Sequence, residues 1–195
     1  MRRVRKLIDS EIVKRKLAYK EGKNDVLRKI LADEQYAICA YTETYLTSSD
    51  DAHIEHFNPT IKDTTDDSYI NWFLVKSLWN TRKSKKWANY QPVLHPTAED
   101  LEQRILYFDG NYVAADPDDV EAQNLIRLLD LDNAQLADQR KRYIKSKKHQ
   151  ISNTNQPAQQ FIDELLVVYP EGIYFIRALE EELNVKVNFD LLKAK

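Results

Sequence analysis

The 195-residue chain is poor in cysteine, glycine and histidine, with one, three and four respectively. The lone cysteine, Cys39, excludes an internal disulfide and fits a reducing, cytoplasmic setting. So few glycines in a chain that is 31% charged predict a mostly helical, highly soluble protein. No run of about 18 apolar residues occurs, so no membrane span is expected. The opening MRRVRKLIDSEIV is basic but has no apolar stretch behind it, which argues against a secretory signal. Net charge is also scarce, at −2, so the chain is no bulk polycation.

Hydrophobic residues make up 43%, enough for one core, and the length suits one domain with helical extensions. The charges are segregated. Arg2, Arg3, Arg5 and Lys6 open the chain, Arg82, Lys83, Lys85 and Lys86 form a second basic block, and residues 140–148 form a third. Such blocks suit phosphate backbones, or they are solvated helix faces.

Apolar spacing predicts helices over 8–20 and 24–35, the second capped by Asn24 or Asp25. YAICAYTETYL (36–46) reads as a strand, 47–51 as a turn, His53–Phe57 as an extended piece before Pro59, and 60–68 as a loop. Residues 69–86 read as an irregular segment entering a helix near 78. ILYFDGNYVAA (105–115) is a hairpin turning at Asp109-Gly110. Helices are expected over 118–130, 133–149, 158–168 and 174–183, with a linker from Ser152 to Pro157. This gives three parts: an N-terminal helical segment (1–35), a central core with its hairpin (36–117), and a C-terminal helical region (118–195) packed on that core.

The stretch DAHIEHFNP (51–59) concentrates the chemistry, because it holds two of the four histidines and a glutamate within four positions. Glu55-His56 sets a hard oxygen ligand beside an imidazole whose pKa lies near working pH. In an extended strand these neighbours point to opposite sides, so a bend is needed for both to serve one site. Downstream, NWFLVKSLWNTRK (71–83) places Asn80 and Lys83 at i,i+3 on a helix face. Taken singly, each feature also has a structural reading as a surface pair, a cap or a turn.

Taken in order, CAYTE (39–43), HIEHFNP (53–59) and NWFLVKSLWNTRK (71–83) resemble the HNH endonucleases of the PtuB type, the nuclease subunits of Septu and retron-linked anti-phage systems. The segment DPDDVEAQNLIRLLDLDNAQLADQR (116–140) resembles the part of that family after the nuclease motif, so the likeness spans roughly residues 36–140. It implies an α+β, predominantly helical fold with a ββα-metal (His-Me finger) core and added N- and C-terminal helices. It makes His56 the general base and Asn71 the residue that orients it. Glu55 and Asn80 become the metal ligands, for Mg²⁺ or Mn²⁺, Lys83 becomes a phosphate or helix-packing contact, and Arg82 and His53 become substrate contacts. His53 can equally be a second ligand or merely exposed. Phe57 is expected beneath the site. The implied partners are nucleic acid, DNA or RNA, and an ABC- or SMC-like ATPase of the PtuA type. The apolar stripe of FIDELLVVY (161–169) could dock against that ATPase or simply fill the core.

The family's four zinc-binding cysteines correspond here to Cys39, Thr42, Lys76 and Trp79, and lysine and tryptophan do not serve a tetrahedral zinc. No structural zinc is therefore expected. An apolar plug of Trp79, Trp72, Leu78 and Tyr41 is the expected replacement. Two other functions stay open: a catalytically impaired scaffold subunit on the same fold, and a small-molecule metal hydrolase using His53, His56 and His95.

Overall fold

A computed structural model describes residues 1–84 and 86–192; Lys85 of the second basic block and residues 193–195 lie outside them. The protein is α+β and predominantly helical, with two small antiparallel sheets. Its elements run α1 (Glu11–Lys14), α2 (Asp25–Glu34), β1 (Ala52–His56), β2 (Trp72–Lys76), α3 (Ser77–Ser84), α4 (Leu101–Arg104), β3 (Ile105–Phe108), β4 (Asn111–Ala114), α5 (Val120–Leu128), α6 (Ala134–Thr154), α7 (Ala158–Val168) and α8 (Ile176–Leu183).

The helix expected over 8–20 is a single turn. Lys16 takes a left-handed φ of 52°, and the Leu17 and Lys16 N–H groups bond back to Ile12 and Val13. This closure of the last carbonyls stops the helix and leaves residues 18–24 free to reach toward β1. The second helix starts as expected, but the Asn24 side chain does not cap it; it closes the preceding turn on the main chain of Lys20.

Residues 36–46 are not a strand. Tyr36 and Ala37 are left-handed and end α2 in the same fashion, and Glu43 is left-handed at φ 57°. In place of the expected strand, the described residues have an isolated Ile38–Tyr45 bridge and an isolated Thr44–Tyr174 bridge. The strand-forming composition there serves burial: Ile38, Cys39, Ala40 and Tyr41 all lie in the core.

The strand lies later, at β2, where an irregular segment was expected. Trp72, Phe73, Leu74 and Val75 are all buried, so the two-residue alternation that would have betrayed a strand is absent. The β3–β4 hairpin forms as read. Asp109 and Gly110 both have positive φ, and a Cβ on Gly110 would stand 2.8 Å from the Ala137 carbonyl of α6. The expected linker is partly helical, since α6 runs to Thr154 before Asn155 turns left-handed. In α7, Ile162 and Leu166 fill the core while Val167, Val168 and Tyr169 are exposed. Among the described residues no helix is long and apolar enough to cross a membrane.

The basic blocks are not uniformly solvated faces. Each sends a cation inward. Lys6 lies 4.3 Å from the ring centres of both Tyr69 and Phe73. Lys83 is fully buried, and buried Arg140 donates to the carbonyls of Gly110 and Leu131.

Candidate active site

β1 and β2 pair antiparallel with His56 opposite Trp72 and Glu55 opposite Phe73, and β2 passes directly into α3. Strand, strand and helix thus come together with the C-terminal end of β1 beside α3. There a cavity of about 500 Å³ is lined by Tyr19, Arg28, His53, Glu55, His56, Lys62 and Asn80, among others. Glu55, His56 and Asn80, expected to share a site, border this one space.

The neighbours 55 and 56 have opposite surroundings, as strand geometry dictates. Glu55 is buried and pairs with the Lys83 ammonium; the Tyr41 hydroxyl donates to the same oxygen, Oε1, at 3.5 Å. Lys83 also donates to the carbonyls of His56 (2.7 Å) and Phe57 (2.6 Å). Three acceptors therefore meet its three N–H bonds, which favours the charged ammonium. Burial pushes the Glu55 carboxyl up to about 7, with Lys83 and the hydrogen bonds pulling the other way. Burial likewise lowers Lys83, with Glu55 opposing.

His56 is buried on the other side, edge-on to Tyr19 at 4.5 Å and near Trp72. Burial holds it below the usual histidine value, partly offset by Asp67. Its Nε2 lies 3.0 Å from Asp67 Oδ2, close enough for an ion pair yet not aligned as a hydrogen bond, and it is sealed from solvent. Among the described residues the Asn71 side chain makes no hydrogen bond to His56. Its carboxamide accepts from the Asn58 N–H (2.7 Å), donates to the Asn58 carbonyl (3.1 Å) and donates to Asp67 Oδ1 (3.0 Å). It closes the loop between the strands, and its link to the histidine runs through Asp67.

Other expectations need correcting. Of the two readings of Lys83, the structure has the packing one and not the phosphate contact, because its amine is spent beneath β1, near the rings of Phe57 and Trp87. Arg82 is not among the cavity residues and lies over the Trp79 ring at 4.9 Å. His53 does border the cavity, half-exposed and 3.0 Å from Asp51. Phe57 is buried behind the site against Phe73, Trp87 and His95. His95 thus packs on the core side of Phe57 and does not line the cavity; burial pushes it down to about 4, and its Nδ1 accepts from the Thr97 N–H.

At the four zinc-equivalent positions, Cys39 is buried with the Lys76 N–H on its sulfur, Thr42 bonds Thr44, Lys76 pairs with Asp50, and Trp79 is buried. Trp72 and Tyr41 are also buried, but Leu78 is exposed and fills no gap.

The cavity and its histidine also meet residues that sequence reasoning did not place. Arg28 and Lys62 bring positive charge, and Tyr19 brings a ring that Lys62 approaches to 5.4 Å. Asp67 stands against the histidine. Arg28 lies on an ordinary helix, and Tyr19, Lys62 and Asp67 lie in polar connections, so local pattern gave no sign of them.

Glu55 and Asn80 both border the cavity, with Glu55 Oε1 held by Lys83 and Tyr41; a hard divalent cation takes one or two carboxylates and completes its shell with water and phosphate. Among the described residues no group of three or more His, Cys, Asp or Glu forms an all-protein cage. No family model, curated protein or solved structure matches the chain.

Proposed function

We propose that this protein is a metal-dependent endonuclease of the HNH type, hydrolysing nucleic-acid phosphodiesters as the effector subunit of an anti-phage defence system. The observation that carries the reading is the meeting of His56, Glu55 and Asn80 at one cavity rimmed by Arg28 and Lys62. The strand–strand–helix that holds them is the arrangement a ββα-metal core requires. An imidazole that is neutral when the water attacks can take its proton. Arg28 and Lys62 can hold the backbone without reading sequence, so DNA and RNA are both admissible. Glu55 and Asn80 would hold the divalent ion, which when bound supplies charge neutralisation at the phosphate and leaving oxygen. Buried Lys83 fixes Glu55 and the carbonyls of residues 56 and 57, and so sets the geometry of the strand end. An ATPase partner of the ABC or SMC kind follows from the family resemblance, and exposed Val167, Val168 and Tyr169 at the end of α7 offer it an apolar contact.

The test is a nicking assay of purified protein on supercoiled DNA and on RNA, with Mg²⁺ or Mn²⁺, alongside His56→Ala. Products are expected from the wild type and not from the variant; identical products from both would discard the reading. A second reading, a catalytically impaired scaffold on the same fold, is favoured by one observation: among the described residues the Glu55 carboxylate is held by Lys83 and Tyr41, both inside the protein. A wild type that cuts nothing, alone or with its ATPase, yet binds that partner would establish the scaffold.

A further inference from the structure

We infer that Asp67 is a positioning residue that fixes the His56 imidazole as the tautomer protonated on Nε2, keeping Nδ1 as the basic nitrogen. Its use in cleavage rests on the reading of His56 as general base. The argument begins with donors and acceptors. An ionised carboxylate only accepts. Asp67 Oδ1 already takes the Trp72 indole N–H at 2.7 Å and the Asn71 carboxamide N–H at 3.0 Å. Oδ2 accepts the Asp63 N–H at 3.3 Å and lies 3.0 Å from His56 Nε2, out of hydrogen-bond alignment, and the side chains of His56 and Asp67 are almost wholly buried. A lone pair on Nε2 would set two acceptors against each other where no water reaches, so the proton of the neutral ring belongs there.

The orientation of Asp67 is itself fixed two bonds back. The Asn71 oxygen must accept the Asn58 N–H, so its NH₂ must point at the Asn58 carbonyl and at Asp67. The closure of the loop between the strands is thereby relayed, through one carboxamide and one carboxylate, to the protonation pattern of the histidine.

Asp67→Asn tests this with almost no change of shape. Two donors, from Trp72 and Asn71, sit on Oδ1 against one longer donor, the Asp63 N–H, on Oδ2, so the new carboxamide turns its oxygen to the first two. Its NH₂ then faces Nε2, which must become the acceptor, and the proton moves to Nδ1. In protein carrying ¹⁵N-histidine, with His56 assigned by its loss in His56→Gln, the wild type above the histidine titration range should show a pyrrole-type Nε2 and a pyridine-type Nδ1. Asp67→Asn should exchange the two. Trp72→Phe keeps the carboxylate and should keep the wild-type tautomer, which separates the relay from general disturbance of the loop. Cleavage by Asp67→Asn should fall in kcat on the order of 10⁴-fold, with KM little changed, as when a histidine base is left in the wrong tautomer. An Nδ1-protonated wild type, or an Asp67→Asn protein with wild-type ring shifts, overturns the inference. The ring shifts decide it without any cleavage, so an inactive wild type would remove the endonuclease reading alone.

Discussion

Two buried glutamates in this molecule have opposite surroundings. Glu43 accepts from the main-chain N–H of Arg2, from the Arg177 N–H at 3.1 Å and from the Tyr112 hydroxyl at 3.1 Å, with the Met1 amino group 4.0 Å away. Burial works to raise it, yet the amino group and the main-chain donors outweigh burial and hold the carboxyl below the usual range. Glu55 is as deeply buried but has one ammonium and one long hydroxyl contact, and there burial prevails. The first carboxylate is satisfied on all sides and ties together segments 41, 69 and 134 residues away in sequence. The second is under-satisfied and borders a cavity. Equal burial therefore marks a scaffold in one case and a candidate ligand in the other, and the count of donors tells them apart.

The sharpest test of that contrast is truncation. Glu43→Ala strands the donors of Arg2, Tyr112 and Arg177 in the interior and should cost about 3–5 kcal/mol in urea unfolding. Glu55→Gln keeps an oxygen for Lys83 and Tyr41 and should cost only about 1–2 kcal/mol. Cleavage should respond in the opposite order: Glu55→Gln loses about 100-fold or more, while Glu43→Ala, where still folded, keeps its specific activity. Equal stability losses would erase the distinction.

Lys83→Met comes next, at about 3 kcal/mol near pH 8, because it leaves Glu55 buried without a counter-charge. Its pH dependence has a definite sign. Removing the ammonium moves the folded-state pKa of Glu55 further above its ordinary value of 4.5. A carboxyl raised on folding stabilises most below its unfolded pKa, and that contribution is lost as pH rises through the folded one. The defect of Lys83→Met should therefore shrink toward pH 5 and widen toward pH 8 in paired denaturation curves. A pH-independent defect would show that Lys83 acts through packing alone.

The same contrast explains what could be read from the sequence. Glu55, His56 and Asn80 were legible because they sit within a short span whose order of strand and helix brings them to one cavity. The hairpin at Asp109-Gly110 and the helices from α5 onward were legible for similarly local reasons. β2 was not, because burial on both faces erases alternation, and residues 36–46 were misread because left-handed Tyr36, Ala37 and Glu43 break a composition that suits a strand. Lys83 illustrates the limit. Its position on the helix was read correctly, but whether its amine points to solvent or under β1 depends on Glu55 and two carbonyls 26–28 residues earlier. Arg28 and Lys62 reach the cavity, and Asp67 reaches His56, only through tertiary packing.

The finest version of the comparison uses the two tyrosines. Tyr112 and Tyr41 are both buried, and each donates to one of the two glutamates. At 3.1 Å the Tyr112 bond lies within ordinary range, and hydrogen bonds to charged groups contribute about 1.5–3 kcal/mol. At 3.5 Å the Tyr41 bond stands at the outer limit, where little is gained from a hydroxyl already stripped of water. Tyr112→Phe should thus lower unfolding stability by about 1.5 kcal/mol and Tyr41→Phe by about 0–0.5 kcal/mol. A larger loss at Tyr41 would mean that its hydroxyl helps hold Glu55 in place, and that the cavity-side carboxylate is as much part of the scaffold as its counterpart.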